Sequence, residues 1–157
     1  MLAANIIIAV VWTLVLGPFT PGNLLVGFIL GFVLIWLAGG EVARRSGYVR
    51  RTRAAIALII FTLVELVKAN VRVAYYTISS ISKRTPAVLT VPIEPDLTDT
   101  EITLLSNLIT MTPGTLTMDV ADDRSCIFVH FMHVDDAESE IEAIKTGFER
   151  KILEVTR

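Results

Sequence analysis

Glu65 and Lys68 are the charged residues in this sequence that are best placed to do chemistry. They lie three residues apart within a mainly apolar run, and a charged pair in a membrane helix can relay protons or ions. The same spacing also gives an ordinary solvated or subunit-facing ion pair, worth about 0.2–0.5 kcal/mol on a helix surface. Two charges do not make a continuous path, so we expect a structural pair and keep a coupling role as the alternative.

The other candidates for catalysis or metal binding are weaker. His130 and His133 lie three apart in a predicted strand, where side chains at that spacing point to opposite faces unless the strand ends between them. Cys126 is the single cysteine, which excludes an intrachain disulfide and a cysteine-based metal site. The sequence contains no glycine-rich phosphate loop and no serine nucleophile motif. We therefore predict no catalytic residue, no cofactor, no metal and no enzyme.

A turn rich in hydroxyl groups follows a predicted helix. Such a turn can bind an ion, but more often its hydroxyls satisfy backbone groups at a helix end. We predict that Thr112, Pro113 and Gly114 form a structural turn in which Gly114 supplies a positive φ angle. The neighbouring hydroxyls belong to Thr110, Thr115 and Thr117.

Charge is divided sharply along the 157 residues. Hydrophobic residues make up 53% and charged residues 19%, against about 25% charge in a soluble domain. Residues 1–40 carry no charged side chain, residues 41–84 are strongly basic, and residues 85–157 are strongly acidic. Residues 1–40 can therefore belong neither to a single soluble core nor to a disordered segment, which needs low hydrophobicity. The acidic residues 85–157 would repel phosphates, which argues against nucleic-acid binding. We predict three parts with these boundaries.

The first part is predicted to be a transmembrane helical hairpin. Two apolar runs, each short against the roughly 20 residues of a full span, flank a turn at 17–22 with two prolines and two glycines. A buried soluble hairpin is the alternative. Gly27 and Gly31 lie four apart, which lets another helix approach closely, and we predict subunit packing there. The start lacks the basic residues of a signal peptide and is read as retained.

Arginines before the third apolar run predict its orientation. Arg44, Arg45, Arg50, Arg51 and Arg53 place this segment in the cytoplasm by the positive-inside rule, and we assign the last three to the membrane interface. A long helix is predicted from about residue 50 to 81, with a polar stripe at helical spacing. Basic residues flank both of its ends, which favours a helix lying along the membrane surface. A third span over residues 54–76 remains open.

The acidic part predicts a small α+β domain in the order β-α-β-β-α. A strand at 88–93 is followed by the capping-box pattern of Thr98 and Glu101. A β-hairpin follows, in which alternation puts Thr117 and Asp119 on one face. One last helix then carries an apolar stripe. The predicted fold class is a membrane α-helical N-terminal part, with a hairpin and a long third helix, followed by this domain.

Several of these segments resemble a known family, the E subunits of the Mrp-type multisubunit Na⁺/H⁺ antiporters. The similarity covers the whole chain, and residues 102–116 carry its most specific part. They are similar to the family's ANLITLTPGTL core, with Ser106 and Met111 as departures. The other matching segments are Asp119, Val129-His130 and residues 148–155.

The resemblance implies an accessory, structural and assembly subunit of a monovalent cation (Na⁺)/proton antiporter complex. It implies a place in a complex of the bacterial inner membrane. The arginine cluster together with two spans predicts a multi-pass protein whose C-terminal domain is cytoplasmic. Its partners would be the other subunits and the lipid bilayer, with the cation and proton machinery in the large subunits. No catalytic residue is carried over. The alternative is a self-standing membrane-tethered adaptor or sensor domain.

Overall fold

The structure is a computed structural model that describes residues 1–38, 47–79 and 85–157. These residues form two compact units, Met1–Arg53 and Ala54–Arg157, and each is described by itself. The predictions for Arg44 and Arg45 fall outside the described residues, as do Lys83 and Arg84, the basic residues after the predicted long helix. The predicted three-part division stays a prediction.

The first unit begins with two apolar helices that pack against each other. Helix α1 is Leu2–Leu16 and helix α2 is Pro21–Ala38. The chain reverses between them at Gly17, whose φ of 113° is open to glycine because it has no side chain. The buried residues of α1 are Asn5, Ala9 and Thr13, whereas most of its large aliphatic side chains are exposed. Small and polar residues therefore lie inside the pair, and apolar ones face outward.

Helix α3, Tyr48–Ile78, has 31 residues and a length of about 46 Å at 1.5 Å per residue. Among the described residues it is the one helix that is long and apolar enough to cross a membrane, by length and composition alone. Helices α1 and α2 are apolar but fall short of that length. The long helix that the sequence predicts begins two residues earlier than expected, and residues 80–81 of the prediction lie outside the described residues.

The rest of the second unit is a three-stranded antiparallel sheet covered by helices. The sheet has the order β1-β3-β2, and the core lies between it and the helices. The prediction of a mostly helical chain with a small antiparallel sheet is confirmed. The elements are β1 Ala87–Pro92, α4 Asp99–Met111, β2 Thr115–Val120, β3 Cys126–Phe131, α5 Ala137–Ile144, a π-helical turn Lys145–Glu149 and α6 Arg150–Thr156.

The predicted alternation of β2 is interrupted by a bulge. Thr117 pairs with Val129 and Asp119 with Phe128, so Met118 is the extra residue. Thr117 is half-buried and donates from its hydroxyl to the Ser106 carbonyl at 3.3 Å, while Asp119 is exposed. The prediction that Thr117 and Asp119 share a face is therefore wrong, because the extra residue shifts the alternation.

Helix α5, the π-helical turn and helix α6 follow one another without a break and form one continuous last helix, residues 137–156. Ile144, Phe148 and Ile152 are all buried although they follow each other at four-residue intervals. In a regular α-helix two such steps drift about 80° around the axis, given 3.6 residues per turn. The wider turn at Lys145–Glu149 absorbs this drift, so the whole apolar stripe stays on the core.

Helix α4 starts at the capping box that the sequence predicts. The Thr98 hydroxyl accepts from the Glu101 backbone N–H, and the Glu101 carboxylate accepts from the Thr98 N–H at 2.8 Å. We expect Thr98→Ala to lower the unfolding free energy of this domain by about 1 kcal/mol. Thr103→Ala, which changes a mid-helix threonine, is the control. Protease susceptibility of the domain in membranes measures both, and equal resistance of the two variants contradicts the prediction.

Candidate functional site

The two glycines of α2 face α1 within the same chain. A Cβ atom built at Gly27 would lie 2.8 Å from the Ala9 carbonyl oxygen and 2.9 Å from the Ala9 Cα. A Cβ atom at Gly31 would overlap the Asn5 side-chain oxygen. The close approach predicted from the glycine spacing therefore occurs inside the hairpin and needs no second copy or partner. Contact of these glycines with another subunit stays a prediction.

Asn5 is the polar residue at the centre of this contact. It is fully buried, and its amide nitrogen donates to the Tyr48 hydroxyl at 2.7 Å. Its side-chain oxygen is buried without a hydrogen-bond partner among the described residues and occupies the space that a side chain at position 31 would fill. The Asn5 amide thus links the start of α1 to the start of α3, and Gly31 leaves room for it.

A second site lies between α3 and the α+β domain. The Phe61 ring meets the Phe148 ring edge-on with centroids 5.2 Å apart. Further along α3, the Tyr76 ring lies against the His133 imidazole at 4.1 Å. A Cβ atom at Gly147 would come within 2.8 Å of the Phe61 ring, so this glycine lets the last helix approach α3 closely. The sequence did not predict Phe61, His133 or Gly147 as contacts.

A cleft of about 360 Å³ opens along this seam. It brings together two groups of residues that the sequence predicts separately, the Glu65–Lys68 pair and the turn at Thr112, Pro113 and Gly114. Apolar, polar and charged side chains, mainly from α3, the end of β3 and the helix at 137–156, complete the lining. Arg50, Arg51 and Arg53 are not part of it, because they lie in the first two turns of α3.

Two ion pairs border the cleft. The Lys68 ammonium is 2.7 Å from the Glu65 carboxylate, and the side chains are 63% and 28% exposed. The Arg72 guanidinium is 3.3 Å from the Glu140 carboxylate. Pairs this exposed contribute about 1 kcal/mol or less. The arrangement matches a structural pair on a helix surface, and the coupling alternative for Glu65 and Lys68 stays open to the experiment below.

The hydroxyl-rich turn satisfies its own backbone. The Thr115 hydroxyl lies 2.6 Å from the Ile109 carbonyl oxygen and 2.8 Å from that of Thr112. The Thr110 hydroxyl accepts from the Thr117 N–H at 3.1 Å. Gly114 has a φ of 91°, as the sequence suggests. The hydroxyls therefore bond to backbone groups at the end of α4, as expected of a structural turn, and the role of the turn itself stays a prediction.

The pKa values of two buried carboxylates in the domain are shifted in opposite directions. Hydrogen bonds from the Thr156 hydroxyl and from the Thr98 N–H and hydroxyl lower the pKa of Glu101. Burial raises the pKa of Glu149, although its carboxylate accepts from the Glu94 N–H at 2.6 Å. Each carboxylate holds a chain segment in place: Glu101 joins the start of α4 to Thr156, and Glu149 fixes the backbone after β1.

The two histidines have different surroundings. His133 lies beyond the end of β3, where its Nε2 atom is 2.9 Å from the Asp135 carboxylate and its Nδ1 accepts from the Thr85 N–H at 3.2 Å. His130 lies within β3. Within the three described ranges, no group of three His, Cys, Asp or Glu side chains is placed to hold an ion.

Long-range pairs such as Arg72–Glu140 and Tyr76–His133 were not predicted. A signal for them existed, since Thr62, Glu65, Ala69, Arg72 and Tyr76 form the polar stripe that the sequence shows on this helix. Thr62 and Ala69 are buried, and Arg72 and Tyr76 contact the α+β domain. The stripe is thus the packing face of α3.

Together these elements define a class of protein: an apolar helical hairpin and a long two-faced helix joined to a small α+β domain. Residues 5–155 match the family model described as Na⁺/H⁺ ion antiporter subunit. The chain is 41% identical to the E1 subunit of the Na⁺/H⁺ antiporter of Staphylococcus aureus strain bovine RF122 / ET3-1. That match covers 98% of this chain and 96% of the relative, and the protein of strain Newman matches to the same extent. The chain therefore belongs to the Na⁺/H⁺ ion antiporter subunit family, as the sequence resemblance indicates.

Solved structures provide two further likenesses. A chain of the membrane-bound sulfane sulfur reductase, an archaeal respiratory membrane complex, is 27% identical with a TM-score of 0.52. This likeness covers 96% of our chain and 95% of that chain. A chain of the Mrp complex from Dietzia sp. DQ12-45-1b is 23% identical with a TM-score of 0.49, over 66% of our chain and 96% of that chain.

Proposed function

We propose that this protein is an accessory structural and assembly subunit of a multisubunit monovalent cation (Na⁺)/proton antiporter in the bacterial inner membrane. Membership of the antiporter subunit family supports this proposal. Its partners are then the other subunits of the complex and the lipid bilayer, and nucleic acid has no place in it. Members of this family are transport subunits rather than classical enzymes.

We place residues 1–40 in the membrane as a hairpin and residues 85–157 in the cytoplasm. The burial pattern of the hairpin supports its membrane placement. The polar residues Asn5 and Thr13 are buried, while the aliphatic residues Leu14 and Leu37 are about 70% exposed. Lipid, unlike water, accepts such an aliphatic surface, and small residues then hold the helices together. Residues 41–84 form the connecting segment, with Arg50, Arg51 and Arg53 at the cytoplasmic interface.

The observation that carries a scaffolding role is the state of the polar groups around the cleft. Glu65 and Lys68 neutralise each other at 2.7 Å, and the threonine hydroxyls of the nearby turn are bonded to the backbone. Polar groups whose charges and hydrogen bonds are already paired within the protein do not need a bound ion as a further partner. The likeness to a chain of a sulfane sulfur reductase complex also fits, since that complex is named for a different chemistry.

Replacing Glu65 with Gln tests this proposal. We expect antiport per assembled complex to stay within about fivefold of the unaltered protein, because an exposed pair of this kind contributes about 1 kcal/mol or less and each 1.4 kcal/mol is about tenfold. Lys68→Gln is the matched control, since it breaks the same pair from the other side. Proton uptake by vesicles with equal amounts of complex measures both. Complete loss of transport in the Glu65 variant alone, with normal assembly, would make Glu65 a coupling residue.

A further inference from the structure

Helix α3 has two opposite faces, and the α+β domain packs against one of them. Leu58 belongs to the buried core cluster of the domain, and Phe61 packs against it. Further along, a Cβ atom at Gly114 would lie 3.1 Å from Val73, and Tyr76 stacks on His133. The domain therefore lies beside α3 from Leu58 to Tyr76, over about 27 Å of helix at 1.5 Å per residue.

The opposite face is aliphatic and has no cover among the described residues. Its residues recur at helical spacing, and each is about half to nine-tenths exposed. Polar side chains such as Lys68 and Asn70 lie at its borders rather than within it. The face is formed mainly by Ile56, Ile60, Leu63, Val67, Val71 and Ile78.

These two faces are incompatible with a spanning α3. If α3 crossed the bilayer, the domain packed along it would enter the hydrocarbon with it. The Arg72–Glu140 pair and Lys151, which lies over the Phe61 ring, would then be buried in lipid, where charges are costly. The open edges of the three-stranded sheet would also lose water, and lipid provides no partner for their backbone groups.

We infer that α3 lies in the plane of the membrane surface, with its aliphatic face in lipid and the α+β domain on its water side. This assignment rests on the proposed membrane placement of the hairpin. Lipid is the partner of this face because the face is aliphatic along about 33 Å, from Ile56 to Ile78. Arg50, Arg51 and Arg53 in the first turns of α3 complement anionic lipid head groups, as in other helices that lie on membranes.

Depth measurements along α3 test this inference. The full chain carries Cys126→Ser and one new cysteine, at Ile56, Leu63, Val67 or Ile78, and is assembled into the complex in phosphatidylglycerol-containing vesicles. A nitroxide on each cysteine reports its depth through collisions with oxygen and with a water-soluble nickel chelate. Asn70→Cys is the control at the border of the face, and Leu14→Cys is the depth reference in the hairpin.

We expect the four face positions to be oxygen-accessible at one shallow depth, equal within about one helical turn of 5 Å. The label at Asn70 should favour the nickel chelate. A depth that changes steadily along the helix, with Ile56 and Ile78 at opposite surfaces, would overturn the inference in favour of a span. Labels shielded from both reagents would overturn it in favour of a protein partner. A shallow label at Leu14 would instead refute the hairpin placement.

Discussion

Leucine at position 31 is expected to open the helical hairpin and to remove most of the chain from the assembled complex. Even the Cβ atom would overlap the Asn5 side-chain oxygen, and it would lie 3.2 Å from the Ile8 Cβ. Overpacking of this kind costs about 1–3 kcal/mol, and each 1.4 kcal/mol is about tenfold in an equilibrium. We expect at least about a fivefold loss of co-purifying chain, measured on native gels of solubilised membranes.

The matched control is Gly22→Leu in the first turn of the same helix. The nearest heavy atom to a Cβ there, the Thr20 hydroxyl oxygen, is 4.0 Å away, so assembly should stay normal. Adding Asn5→Ala to Gly31→Ala should restore part of the assembly lost in Gly31→Ala, because it removes the overlapping oxygen. Normal amounts of Gly31→Leu in the complex would show that the two helices are not held together through this contact.

The glycine pair shows what spacing can and cannot predict. Two glycines four residues apart place a smooth strip on one helix face, and this is readable from the sequence alone. The identity of the covering helix depends on a turn of only a few residues, which brings α1 back onto α2. The role of Asn5 could not be predicted from the sequence, because its partners, Gly31 and Tyr48, are 26 and 43 positions away.

Helix α3 illustrates the same limit at longer range. The polar stripe that contains Glu65 and Arg72 was readable because it repeats every three to four residues. Its meaning was not, since Arg72 pairs with Glu140, 68 positions further on. Local composition favoured a helix at the membrane, and packing of the same helix against a folded domain is information that only the structure contains.

Local irregularities also escaped prediction. The capping box of α4 follows from residue types at fixed spacing, and the structure has it. The bulge at Met118 and the π-helical turn at Lys145–Glu149 each insert an extra residue into a regular repeat. Alternation and helical periodicity assume that the repeat is unbroken, so they cannot locate such insertions.

Valine at position 114 is expected to damage assembly more than Thr98→Ala does, while leaving transport by assembled complexes intact. Gly114 has a φ of 91°, a conformation that costs a non-glycine residue about 1–3 kcal/mol. Its Cβ would in addition lie 3.1 Å from the Val73 side chain of α3. The variant therefore strains the turn and pushes the domain away from α3 at once. We expect roughly a tenfold drop in assembled complex, measured on native gels.

Val73→Ala separates the two causes of that loss. In the double variant with Gly114→Val, the contact with α3 is relieved while the strained φ remains, so assembly should recover in part. Gly17→Ala is the control for φ alone, since Gly17 also has a positive φ but no heavy atom within 4 Å of a Cβ. If Gly114→Val complexes form in normal amounts and still fail to transport, the turn acts in the transport cycle, and the scaffolding role proposed for this protein is refuted.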